Sequence, residues 1–233
     1  MGMDTDRMPG TRLIPALILA ALLHIPGPAA ADVVKDCTQK GDWWLRITAC
    51  TQAIESGKYA GRSAAWAYSN RAVAHVALGQ YIQAFDDHRE AIKLDPTSAT
   101  ARNNKANAHA RFREYDRALE EYSAAIRLKA GYTSAHFNRA GVHVALGQDV
   151  EAIADYSAVI KGRPDLGAAY AGRAEARCRT GDVEGSVADR LSALELGALT
   201  SDLIENHLSE TGYLRGDVEL EEALGAWTRA GCP

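Results

Sequence analysis

The sequence predicts an all-α fold, a solenoid of antiparallel helix pairs closed by a helical cap at each end. Three observations carry this expectation. The chain repeats every 34 residues, and the segments 65–98, 99–132, 133–166 and 167–200 align without a gap. Small residues recur in fixed columns: Ala72, Ala106, Ala140 and Ala174 in one, Ala84, Ala118, Ala152 and Ser186 in a second, Ala91, Ala125, Val159 and Ala193 in a third. Turn and stop residues recur at constant phase, with Gly79, Gly147 and Gly181 midway through a unit and Pro96 and Pro164 near its end. A period of this length marks stacked units, none of which buries its apolar face alone.

The N-terminus reads as an export signal. Arg7 and Arg12 precede the apolar run Leu13 to Ile25, and Pro26-Gly27-Pro28 leads into the small-residue cleavage site Ala29-Ala30-Ala31. The apolar run falls short of the roughly 20 residues a bilayer span needs, so residues 1–31 are expected to be cleaved and no stable membrane span is expected afterwards. Cleavage removes Asp4, Asp6, Arg7 and Arg12, two charges of each sign, so the net charge stays at -4. That balance argues against a nucleic-acid partner, which would favour a basic face. The expected location is periplasmic or secreted.

Residues 32–64 form the expected N-terminal cap, a degenerate helical hairpin with a turn at Gly41-Asp42 and a helix from Trp43 to Glu55. Four cysteines in an exported chain allow three pairings. Aligning Ala53 with Ala91 puts Cys50 in the column of His88 and Cys37 in that of His75. Those columns face one another across a hairpin, which makes a Cys37–Cys50 bridge sterically sensible and worth about 3 kcal/mol by loop entropy. Cys178 and Cys232 then pair by default, which requires the C-terminal tail to fold back.

Within each unit, apolar residues at helical spacing form two helices. In the first unit Tyr68, Ala72, His75, Val76 and Leu78 precede Gly79-Gln80, and Ile82, Phe85, Ile92 and Leu94 follow it. Asp95-Pro96 stops the second helix, because proline lacks an amide hydrogen and disfavours helix in the residue before it. Arg113 replaces the turn glycine in the second unit, and Ala130 and Ala198 stand where a proline is expected.

A bulky residue, a small one, a glycine then an aromatic, two alanines and a terminal proline form a pattern that resembles the tetratricopeptide repeat over residues 65–198. The resemblance implies a right-handed superhelix whose concave groove, lined by the first helix of each unit, takes a peptide or protein segment. The positions it places there are Trp66, Ser69, Val73, Val76 and Ala77; Thr100, Asn103, Asn107, Ala110 and Arg111; Ser134, Phe137, Gly141, Val144 and Ala145; and Ala168, Ala171, Glu175, Cys178 and Arg179. Asn103 and Asn107 lie four apart on one helical face, where amides could bond an extended peptide, and Arg111 could pair with a carboxylate. Ser69 and Val73 stand where the clamp that binds chaperone tails in some relatives would need a lysine and an asparagine.

Other polar columns read as structural. Arg71, Lys105, Arg139 and Arg173 each precede an acid by sixteen residues, Asp87, Glu121, Asp155 and Asp189, so each unit can close its own ion pair. His75, His109 and His143 share a column, with His136 one turn away. Stacked helices about 8–10 Å apart hold such residues too far from one another to share an ion at about 2.0–2.1 Å. The chain carries no G-x-S-x-G, phosphate-binding glycine loop or H-E-x-x-H motif. No cofactor, metal site or catalytic residue is expected, and the chain is read as a non-catalytic protein-binding scaffold.

Beyond residue 198 the register ends. Ser201 begins an expected helix to Glu210, with Leu203, Ile204 and Leu208 on one face, suited to cover the last unit. Residues 199–233 also carry a weaker resemblance to the small peptidoglycan-binding domain, through Leu208 to Val218, including Gly212-Tyr213, and the helix ending in Trp227. The glycine-rich, proline-containing segment of that family is missing between Val218 and Leu220. The alternative function it implies is adhesion to the cell wall.

Overall fold

The computed structural model describes residues 30–210, 212–213 and 218–230; the expected signal segment lies outside them, apart from its last two residues, as does Cys232. Twelve α-helices follow one another among the described residues. α1 (Ala30–Thr38) and α2 (Trp43–Glu55) form the N-terminal hairpin, and a short 3-10 turn (Gly61–Ala64) leads into the units. The first helices of the four units are α3 (Ala65–Ala77), α5 (Ala99–Arg111), α7 (Thr133–Ala145) and α9 (Gly167–Arg179). Their partners are α4 (Tyr81–Leu94), α6 (Tyr115–Leu128), α8 (Asp149–Gly162) and α10 (Val183–Glu195). Both sets start 34 residues apart, the period of the sequence. α11 (Ser201–Glu210) and α12 (Leu220–Arg229) follow.

Each first helix ends in the same hydrogen-bonded motif. In the first unit Gly79 N–H donates to Val76 O and Gln80 N–H to His75 O, at 3.2 and 2.8 Å. This Schellman geometry satisfies carbonyls that the helix end would leave bare, and it places one residue in the left-handed region. Gly79, Gly147 and Gly181 occupy it with φ of +73°, +70° and +82°. Arg113 takes the same role at φ +59°, alone among the described non-glycine residues. A side chain there costs about 1–2 kcal/mol of backbone strain. Arg113→Gly is therefore expected to stabilise the protein by about 0.5–1 kcal/mol, the gain being trimmed by the greater freedom of glycine in the unfolded chain. Thermal or urea unfolding reads it directly.

The second helices stop with or without proline. Asp95 and Arg163, each before a proline, have φ/ψ of -132°/85° and -142°/75°. Lys129 reaches -146°/89° although Ala130 follows it, so the packed unit imposes the extended exit that proline only favours. The fourth unit ends differently. Gly197, at φ +69°, closes α10 with Ala198 N–H on Ala193 O at 2.8 Å, a glycine stop one residue before the position of the missing proline.

The alanine columns form the interior. Ala72, Ala106, Ala140, Ala84, Ala118, Ala152, Ala91 and Ala125 are fully buried, and their small size lets paired helices approach closely. Ser186, the exception in its column, is also buried, and its hydroxyl donates to Ala174 O at 2.7 Å, so no polar group is stranded. At the N-terminal end Cys37 and Cys50 form a disulfide, Cα to Cα 4.7 Å, packed with Ala49, Ala53 and Ala67. Cys178 is also disulfide-bonded; Cys232, its expected partner, lies outside the described residues. At the other end Leu208, Ala223 and Leu224 bury themselves against Val187 of α10, which covers the edge of the last unit. Among the described residues no helix is long and apolar enough to cross a membrane.

Candidate functional site: the face of the first helices

All four units close the ion pair their columns predict. Arg71 meets Asp87 at 2.7 Å, Lys105 meets Glu121 at 2.7 Å, Arg139 meets Asp155 at 2.7 Å and Arg173 meets Asp189 at 2.7 Å. The acids are mostly buried. Burial pushes the Asp155 carboxyl up, but hydrogen bonds from Arg139 and His136 outweigh it and hold the group below the usual carboxylate range. Each arginine also reaches back one unit to a hydroxyl: Arg71 to Thr51 at 3.0 Å, Arg139 to Ser123 at 2.8 Å, Arg173 to Ser157 at 3.0 Å. The same residue thus closes its own hairpin and staples it to the preceding one. In the second unit the hydroxyl position holds Arg89, and Lys105 shares Glu121 with Arg102 instead.

The histidine column locks the turns. His75, His109 and His143 bring Nδ1 to within 2.6, 2.6 and 2.7 Å of the side-chain oxygens of Gln80, Glu114 and Gln148. His136 holds Asp155 at 2.7 Å through Nδ1 and faces Ala130 O at 3.1 Å through Nε2. These rings are engaged in structural contacts within their own units and, for His136 and His109, with the preceding one as well. No cluster of three metal-binding side chains occurs among the described residues.

The predicted groove residues divide into those held by the protein itself and those left open. Asn138 donates to Asn107 Oδ1 at 2.9 Å and to Asn103 Oδ1 at 3.4 Å, and the Tyr122 hydroxyl also donates to Asn107 at 2.6 Å. Asn103 is buried. The expectation of a free amide pair is therefore corrected: both carbonyl oxygens bind the third unit to the second. Ser69 is buried as well, accepting from Asn104 at 3.2 Å. Asn70 in turn accepts from Arg46 of the cap. Asn70, Asn104 and Asn138 are one column, and each joins its unit to the one before; the sequence shows the column, but its partners lie in neighbouring units. Trp66 packs edge-on to Tyr59 at 5.4 Å, sealing the cap.

Arg179 and Glu175 are likewise engaged. Arg179 pairs with Glu175 on its own helix and with Asp149 of the preceding unit at 2.7 Å. Arg111 occupies the same column as Arg179, but the position equivalent to Asp149 is Tyr81, whose ring packs on Phe112 at 4.0 Å. Arg111 is exposed and has no carboxylate within 4.0 Å among the described residues. It rims a cavity of about 230 Å³ whose walls include Val73, Val76, Ala77 and Asn107, all predicted groove positions. A second cavity of about 380 Å³ is lined by Ser134, Phe137 and Ala168, again predicted positions. The face of the first helices therefore holds two recesses, one under a free cation and one beside an aromatic ring.

A tetratricopeptide-repeat profile matches residues 65–98, and a second matches residues 104–167. With helix pairs recurring at 34 residues over the same span, the chain is a tetratricopeptide-repeat (TPR) protein. Solved structures share the fold at low identity. A crystal structure of MamA is 23% identical, covers 68% of this chain and 91% of its own, and has a TM-score of 0.59. YrrB, a TPR protein with an unusual peptide-binding site, is 20% identical, covers 79% of this chain and 91% of its own, and has a TM-score of 0.61. No curated protein sequence matches the chain.

Proposed function

We propose that this TPR protein is a non-catalytic scaffold of the bacterial envelope that holds a peptide or protein segment against its first helices. The observation that carries the reading is the pair of recesses on that face, one beneath the unpaired, exposed Arg111 and one beside Phe137. The recurring charged columns of the units are spent on ion pairs and turn locks. Export is supported by the N-terminal signal pattern and by the Cys37–Cys50 bridge, which needs an oxidising compartment to persist. The cell-wall alternative gains no observation among the described residues, since Leu208, Ala223 and Leu224 are committed to capping α10. The test is equilibrium binding of peptides selected on the protein from a displayed random library. Arg111→Glu combined with Phe137→Ala is expected to weaken them at least about tenfold, roughly 1.4 kcal/mol, with unchanged helicity by circular dichroism. Unchanged affinity would show that the segment binds elsewhere.

A further inference from the structure

The recess under Arg111 has a feature its sister units lack. His88 sits in the column of Tyr122 and Tyr156, and it is completely buried. Neither of its ring nitrogens has a hydrogen-bond partner, although the ring lines the recess beside Val73 and Asn104. In the second unit the equivalent space is filled by the Tyr122 ring, whose hydroxyl donates to Asn107 at 2.6 Å. In the third, the Tyr156 ring stands where any side chain at Gly172 would have to be, 2.4 Å from an added Cβ. The imidazole of His88 is shorter than the phenol rings of those sister units, Val73 stands where the second unit has Asn107, and the recess of about 230 Å³ that His88 helps to line is walled by Trp43 as well.

We propose that this recess takes a tyrosine side chain of the bound segment, with its hydroxyl on His88 and its ring against Val73, Val76 and Ala108. The proposal rests on the groove reading above and names the side chain that reading leaves open. Buried polar atoms cost free energy unless they are bonded, and a neutral imidazole presents one N–H and one lone pair. A phenol hydroxyl both donates and accepts, so it suits either nitrogen. A carboxylate only accepts, and it would favour a charged imidazole that the burial of His88 opposes. A lysine or arginine would meet the Arg111 guanidinium at the rim.

The test uses the same displayed library, read by sequencing, with wild-type protein, His88→Tyr and His88→Phe. His88→Tyr installs the residue that two sister units already carry and refills the space, so the variant folds while the recess closes. Wild-type protein is expected to enrich tyrosine over phenylalanine at one peptide position by about tenfold. Both variants are expected to erase that preference. Equal enrichment of tyrosine and phenylalanine, or a preference for aspartate or glutamate that depends on Arg111 and survives in His88→Phe, would overturn the proposal. In either case the groove reading stands if the selected peptides still lose affinity in the Arg111→Glu, Phe137→Ala variant. Selection of no peptide at all would overturn both.

Discussion

Asp155→Ala is expected to destabilise the protein by about 3–5 kcal/mol, the range for removing one partner from a buried ion pair. Asp155 and Asp189 are the most heavily used acids of the four, each accepting three side-chain hydrogen bonds. Asp155 accepts from Arg139 at 2.7 and 2.8 Å and from His136 at 2.7 Å, with only 5% of its side chain exposed. Its loss leaves the Arg139 guanidinium desolvated, with Ser123 as its remaining partner. The size of the loss comes from that stranded charge, and a control separates the two effects: replacing both partners, Arg139→Met with Asp155→Leu, is expected to recover most of the stability. Urea unfolding measures both variants. Because solenoid units are coupled to their neighbours, hydrogen exchange in Asp155→Ala should lose protection first in α7 and α8. A loss below about 1 kcal/mol would place the pair with exposed ion pairs.

Acid should destabilise the wild-type protein more steeply than His88→Tyr. Burial lowers the His88 pKa from 6.5 to about 3, aided by the nearby Lys105 and His109 and opposed by Glu121. The folded state therefore holds His88 neutral at pH values where the unfolded chain binds a proton. The resulting stability is complete above about pH 6.5 and is lost as pH falls toward about 3. At about pH 4.5 the loss is roughly 2–3 kcal/mol. Tyrosine carries no charge in that range, so the gap between variant and wild type should widen by that amount between about pH 7 and pH 4.5. Asp155 also loses its contribution on acidification, through protonation below the ordinary carboxylate range, but it does so in both proteins and cancels in the comparison. Parallel curves would mean that His88 is hydrated or bonded in solution.

How much of this was legible in the sequence depends on whether a contact stays within one unit. The sixteen-residue offset from Arg139 to Asp155 lies inside a hairpin and recurs four times, so the ion pairs could be read directly. The cap disulfide followed from the same columns, since Cys50 aligns with His88 and Cys37 with His75. Contacts between units were harder. The column Asn70, Asn104, Asn138 is visible, but its partners Arg46, Ser69, Asn103 and Asn107 belong to preceding units and differ in type from one junction to the next. Asn103 and Asn107 consequently looked free for recognition when two of their oxygens were already in use. The stapling of Arg139 to Ser123 had a signal that could have been found, because Ser123 and Ser157 share a column sixteen residues before an arginine. The recess at His88 also had one: a histidine in a column where the next two units hold Tyr122 and Tyr156, opposite a valine where the next unit has an asparagine. The departures at Arg113 and Ala130 could be seen but not weighed, since only the packed unit shows that the turn and the exit survive them.

The central claim is that a bound segment lies along the first helices, and site-specific photo-crosslinking to a selected peptide tests it most directly. A photoreactive residue is placed in turn at Val73 and Phe137 on that face, and at Glu90 and Glu120 on the second helices. The account predicts adducts from positions 73 and 137 and none from 90 and 120. Adducts from the second helices, with none from positions 73 and 137, would contradict it.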